Sequence, residues 1–172
     1  MNWEAVQQLH ATAADEVVAA AERVPAGRWL QPRAEGKWSP AEVIEHLTLA
    51  YDVLLRELAG GPGMVIRTKL WQRLLLRFTM LPKILRGGGF PAGARAPRET
   101  RPVLTTTDQR TAIAAFCDRA SQIAAAAMEA EKRGGVKLTH AYFGRASVCN
   151  SMLMCARHLQ HHQQQIASIQ PS

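Results

Sequence analysis

The sequence predicts an all-α protein: an antiparallel four-helix bundle with an extra basic helical segment and a long loop between its second and fourth helices. Three observations carry that expectation. Apolar residues recur at three- and four-residue spacing in four long stretches, the period of a helix with one buried face. Gly/Pro clusters separate those stretches, and no alternating apolar and polar run of useful length signals a strand. The length of 172 residues suits a single domain over residues 1–172, with residues 62–104 as a basic insertion within it.

The first helix is expected from Trp3 to about Val24, with Val6, Leu9, Ala13, Val17 and Ala20 on one face and Pro25-Ala26-Gly27 ending it. The second starts at Ser39-Pro40, a capping serine followed by proline at the first helical position. Glu42 stands where a capping box needs it, and the helix runs to Leu58 before Gly60-Gly61-Pro62.

An apolar and basic stretch follows from Val65 to Leu85, in which Pro82 is expected to kink or end the helix. Gly87 to Pro102 reads as a long Gly-, Pro- and Arg-rich loop. Thr105-Thr106-Thr107-Asp108 then caps a helix of about 25 residues, with Ile113, Phe116, Ala120, Ile123 and Ala127 facing the core, ending near Gly134-Gly135. A last helix is expected from Ala146 to Ile169.

Charge and cysteines narrow the classes. The net charge of +7 is concentrated: residues 62–101 hold nine basic residues against the single acid Glu99, leaving 12 basic against 13 acidic residues elsewhere. Charges embedded in the 65–85 stretch exclude an ordinary transmembrane span, although peripheral contact with a membrane is compatible with it. The first residues lack the basic leader and apolar block of a secretory signal. Cys117, Cys149 and Cys155 are odd in number and without metal or disulfide spacing, which favours reduced thiols in a cytoplasmic protein.

Chemistry concentrates at the C-terminal end. Three of the six histidines, His158, His161 and His162, fall on the last helix. At about 100° per residue His158 and His162 lie one turn apart on one face, while His161 diverges. His162 also occupies a core seam through Val148, Met152, Cys155, Leu159 and Ile166, where a polar group is unfavourable unless satisfied. Two imidazoles at i, i+4 can converge on one ion, and the second helix supplies one further candidate, His46.

His46, His158 and His162 would form a three-histidine site with an open position, suited to zinc, nickel or iron. Cys155 is an alternative ligand to His46, though a cysteine on a core stripe is usually packing. Gln165 is a candidate to orient a ligand, and His161 is a further candidate for a supporting or alternative role. His10 and His140 read as surface or loop residues. The spacing matches neither zincin nor inverzincin motifs.

The combination of Gly36-Lys37-Trp38-Ser39-Pro40 before a helix with Glu45-His46-Leu47, then Tyr142-Phe143-Gly144 before a helix carrying His158-x-x-His161-His162-x-x-Gln165, resembles the DinB-like superfamily of bacterial four-helix-bundle proteins. These motifs cover both ends of the chain and leave residues 60–105 unmatched. The resemblance implies the same ligands, His46, His158 and His162. It also implies activities such as metal-dependent hydrolysis or S-transfer with a low-molecular-weight thiol cosubstrate.

Two functions are therefore expected in competition. One is an enzyme in which a bound divalent metal activates water or thiol toward a small-molecule substrate. Its general base is unassigned, Glu42 and Glu45 reading first as exposed carboxylates, and the loop arginines Arg95, Arg98 and Arg101 are candidates to hold an anionic substrate. The other is an interaction module in which the basic segment meets anionic lipid or a protein and the histidine site is structural or vacant. Nucleic acid is not expected, since Trp71 and Phe78 sit at helical spacing that makes them core or dimer contacts first. The apolar residues of that segment need cover, which suggests a homodimer.

Overall fold

The computed structural model describes residues 2–91 and 95–169, and five helices account for most of them. Helix α1 spans Trp3–Glu22, α2 Pro40–Leu58, α3 Leu70–Leu85, α4 Gln109–Arg133 and α5 Val148–Ala167. Each long helix begins where a side chain can satisfy its first free N–H groups. Asn2 caps α1, Asp108 caps α4 and Ser147 caps α5, and Ser39 and Glu42 form a reciprocal capping box on α2. Gly134, at φ 67°, stops α4 by adopting a conformation that side-chain-bearing residues avoid.

The predominantly helical architecture matches the expectation. α1 packs mainly on α5 and α2 on α4, and the four helices share one core built from residues such as Val17, Ile44, Phe116, Ile123, Met152 and Leu159. Seven of the residues on the buried face of α1 follow the three- and four-residue spacing, and His10 is one of them.

Three expectations about local structure are corrected. A two-stranded antiparallel hairpin, β1 Lys137–His140 and β2 Gly144–Ser147, stands where no strand was expected, and it delays α5 by two residues to Val148. Its strands are four residues each, too short for alternation to stand out from sequence. Pro82 neither ends nor breaks α3, which continues to Leu85. It falls in the last turn, where the carbonyl it leaves without a partner belongs to the exposed Phe78 and can meet water. Finally, α1 ends at Glu22 rather than Val24.

The basic insertion docks on the hairpin through polar contacts. The Arg67 N–H donates to the Ala141 carbonyl at 2.8 Å, Thr68 Oγ1 to Tyr142, and Arg77 to the carbonyls of Phe143 and Arg145. Gly144, at φ 72°, permits both the turn and this approach, because a Cβ there would sit 2.7 Å from the Arg73 side chain. Behind these contacts Leu81, Ile84, Phe143 and Met154 form a second, smaller core. The outer face of α3 is left open: Leu70, Trp71, Leu74, Leu75 and Phe78 are 45–77% exposed. Trp71 and Phe78 are therefore not core residues, and nothing among the described residues covers them. Residues 92–94 of the Gly-rich loop lie outside the described residues; its later part closes as a short 3₁₀ turn, Arg98–Thr100, against α2.

Candidate metal centre

The cluster is assembled from helices far apart in sequence. His46 comes from α2, and His158 and His162 from successive turns of α5. Nε2 of His158 lies 3.1 Å from Nε2 of His46 and 2.9 Å from Nε2 of His162. One ligand atom from each of the three histidines lies within 4.8 Å of the others. The seam arithmetic on α5 holds, with Val148, Met152, Leu159, His162 and Ile166 all buried on it.

The outer nitrogens show which lone pairs face inward. His46 donates its Nδ1 proton to the Thr100 carbonyl at 2.6 Å, and His162 donates its own to Gln165 Oε1 at 2.9 Å. With those protons on Nδ1, both Nε2 atoms present lone pairs to the shared point. Ligating histidines use the same arrangement, in which an outer acceptor sets the tautomer and orients the ring.

Burial pushes the pKa of all three rings below the ordinary histidine value, well below it for His158 and His162, and each proton added would meet the neighbouring rings. They are neutral donors near pH 7, the form a metal requires. The donor set fits a divalent transition ion: imidazole nitrogens bound at about 2.0–2.1 Å in tetrahedral directions lie about 3.3 Å apart, close to the observed spacings.

Gln165 does support a ligand, and it links His162 to His161, whose Nε2 lies 2.8 Å from its amide nitrogen. His161 stands outside the cluster beside Phe90. Cys155 lines the adjoining cavity with its thiol pushed up to about 12 by burial, so it is a neutral thiol, and it is not in the three-ligand cluster.

Glu42 is occupied by the capping box. Glu45 accepts the N–H groups of Val103, Leu104 and Thr105 and the Thr105 hydroxyl, which pins the end of the insertion to α2. Neither carboxylate lines the cavity. Arg95 and Arg101 line it; Arg98 does not.

Two histidines were misplaced by the sequence reading. His10 is buried, with Nε2 2.8 Å from the Tyr51 hydroxyl, so a hydrogen-bonding partner lets a polar residue occupy the core stripe. His140, on β1, lines the cavity and accepts the Tyr142 N–H on Nδ1 at 3.2 Å. Burial lowers both rings to about 4.

The cavity beside the cluster measures about 1080 Å³. Sequence reasoning missed several of its residues. Trp38 lies against His46 with ring centroids 4.8 Å apart, and Phe90 lies 5.4 Å from His158. Arg33 and Lys37, from the segment before α2, bring further positive charge to the wall. Lys37 and Trp38 stand in the Gly36–Pro40 motif that carries the family resemblance, though no role at the site was attached to them; Phe90 and Arg33 carried no signal.

A helical chain that brings three histidines from two helices to one point, with outer acceptors on two of them, is a candidate metal-binding protein. The chain belongs to the DinB superfamily, whose family model matches residues 8–166. No curated protein and no solved structure matches it.

Proposed function

We propose that the chain is a metal-dependent enzyme of the DinB superfamily, a hydrolase or thiol-dependent S-transferase acting on a small molecule, with His46, His158 and His162 holding zinc, nickel or iron. The observation that carries this reading is the convergence of three neutral Nε2 atoms, two of them oriented by Thr100 and Gln165. A divalent ion there supplies Lewis acidity, lowering the pKa of a bound water or thiol. Thr100 and Gln165 hold the ligand rings, Trp38 and Phe90 restrict water around them, and the cavity receives the substrate. Pairwise packing of α1 on α5 and α2 on α4 supports an antiparallel four-helix bundle as the frame, within a single domain that carries residues 62–104 as an insertion.

Elemental analysis of protein purified without chelator tests the reading. About one equivalent of a transition metal is expected, lost in His46→Ala and in His158→Ala. Less than about a tenth of an equivalent, with added-metal affinity unchanged by His46→Ala, removes its basis.

The open face of α3 favours a second property of the same protein, docking on an anionic lipid surface. Leu70, Trp71, Leu74, Leu75 and Phe78 are exposed, with the basic residues Lys69, Lys83 and Arg86 also exposed on and beside the helix. Such a composition suits an interfacial helix. Self-association through this face would bring two basic segments together, which opposes the homodimer and favours a surface of opposite charge.

A further inference from the structure

The walls of the cavity beside the histidines specify a ligand more closely than the metal centre does. Its cationic side chains are Arg33, Lys37, Arg95 and Arg101, and no aspartate or glutamate among the described residues lines it. None of the four forms an ion pair among the described residues. They come from two segments remote in sequence, the approach to α2 and the end of the insertion.

The rest of the wall is largely apolar. α3 contributes Leu76, Met80 and Ile84, and Phe143 of the hairpin turn and Met154 of α5 join them. Thr139, Tyr142 and Ser151 on this side donate their hydroxyl protons to Glu57, Arg95 and Ser147, which leaves His140 as its free donor. His140 accepts the Tyr142 N–H on Nδ1, so its proton resides on Nε2, and that N–H has no protein acceptor among the described residues. At about 1080 Å³ the cavity is slightly larger than the roughly 300–1,000 Å³ that encloses a drug-sized ligand, room for an extended molecule.

A site with cations free of ion pairs, an apolar wall and one half-buried free donor is complementary to one kind of molecule. We infer that the cavity binds an amphiphilic anion. Its carboxylate or phosphate head is held by Arg33, Lys37, Arg95 and Arg101, its hydrocarbon body lies along Leu76, Met80, Ile84, Phe143 and Met154, and a carbonyl-type acceptor faces His140. A neutral amphiphile forgoes the attraction of the cations, and a cationic one meets repulsion. This deepens the proposed enzyme by naming its substrate class, and depends on the metal only for which end of the molecule reacts.

Calorimetry with decanoate, decanol and decyltrimethylammonium tests the inference on protein stripped with chelator and again after metal loading. Decanoate is expected to bind about tenfold or more tighter than the other two. Arg33→Gln/Lys37→Gln, both at exposed positions, should weaken decanoate by about tenfold and leave decanol within about twofold. Met80→Asp on the inner face of α3 should abolish binding, whereas Trp71→Asp on its outer face should not.

Equal affinity for decanoate and decanol overturns the inference, as does decanoate binding that survives Met80→Asp but is lost in Trp71→Asp. Unfolding midpoints of each variant separate lost binding from lost fold. Decanoate selectivity in chelated protein upholds the ligand class even where the metal reading fails. A metal-loaded protein without that selectivity sinks the ligand class and leaves the metal centre standing.

Discussion

Gln165 accepts the Nδ1 proton of His162 at 2.9 Å from one turn further along α5. The contact selects the tautomer that turns Nε2 of His162 toward His46 and His158, so a neutral amide with no direct place in the cluster governs how it presents its electrons.

Replacing Gln165 by leucine removes that acceptor with similar bulk. Metal affinity is expected to fall by about 10- to 100-fold, while Gln165→Glu, which keeps an acceptor oxygen, should retain most of it. Competition against a chromophoric chelator measures both. Equal affinity in wild type and Gln165→Leu would mean that the ring is oriented by packing alone.

Glu45 binds three consecutive N–H groups of the insertion's end and the Thr105 hydroxyl. Partial burial acts against its charge, yet the bonds from Thr105, Leu104 and Val103 hold its carboxyl below the usual range. Glu45→Ala is expected to destabilise the fold by about 1–3 kcal/mol in urea titration at pH 7. Because the folded pKa is depressed, this contribution is present above the ordinary glutamate value and fades as pH falls through the lowered one. The difference between wild type and variant should therefore shrink in acid; a gap constant down to pH 3 contradicts the role.

His10 provides a test in a different pH window. Its folded pKa of about 4 lies below the ordinary 6.5, because burial disfavours the charged ring. The unfolded chain thus takes up a proton first, and stability is full above about pH 6.5 and lost as pH falls toward 4, by roughly 3 kcal/mol at most. Comparing unfolding free energies of wild type and His10→Gln at pH 7 and pH 4.5 isolates this residue from the other histidines. The wild type should lose more on acidification, and parallel losses would assign the effect elsewhere.

The α3 face makes a prediction about surfaces. Vesicles containing anionic lipid should bind the protein at low salt and blue-shift Trp71 emission. Lys69→Gln/Lys83→Gln/Arg86→Gln should weaken binding by about 1 kcal/mol per residue, and added salt should weaken it further. Arg67 and Arg77 are poor choices for this test, since one pairs with Glu99 and the other holds the hairpin turn. Absence of binding, with a molecular mass that doubles with concentration, assigns the face to a second copy instead.

Much of this was legible in the residues themselves. Ser39 and Glu42 announced the start of α2, Asp108 and Gly134 bracketed α4, and the seam from Val148 to Ile166 put His162 inward, because caps and helical period are local properties. The pairing of His158 with His162 is equally local. His10 shows where such reading stops: its spacing put it on the buried stripe, but Tyr51, 41 residues away, is what satisfies it. The hairpin escaped because four-residue strands carry too few alternations, and because its stability comes from Arg77 and Glu57, which bind it from other elements.

The sequence by itself determined the helices, their caps and the angular positions of the histidines on α5, since 3.6-residue periodicity is written within each element. The packing of the helices, by contrast, decided that His46 meets His158 across 112 residues, that Thr100, 54 residues away, sets the tautomer of His46, and that Arg33 and Arg95 share one cavity wall. Periodicity encodes which way a side chain faces along its own helix. Which partner it faces is settled when the helices pack and distant polar groups must find one another to be buried.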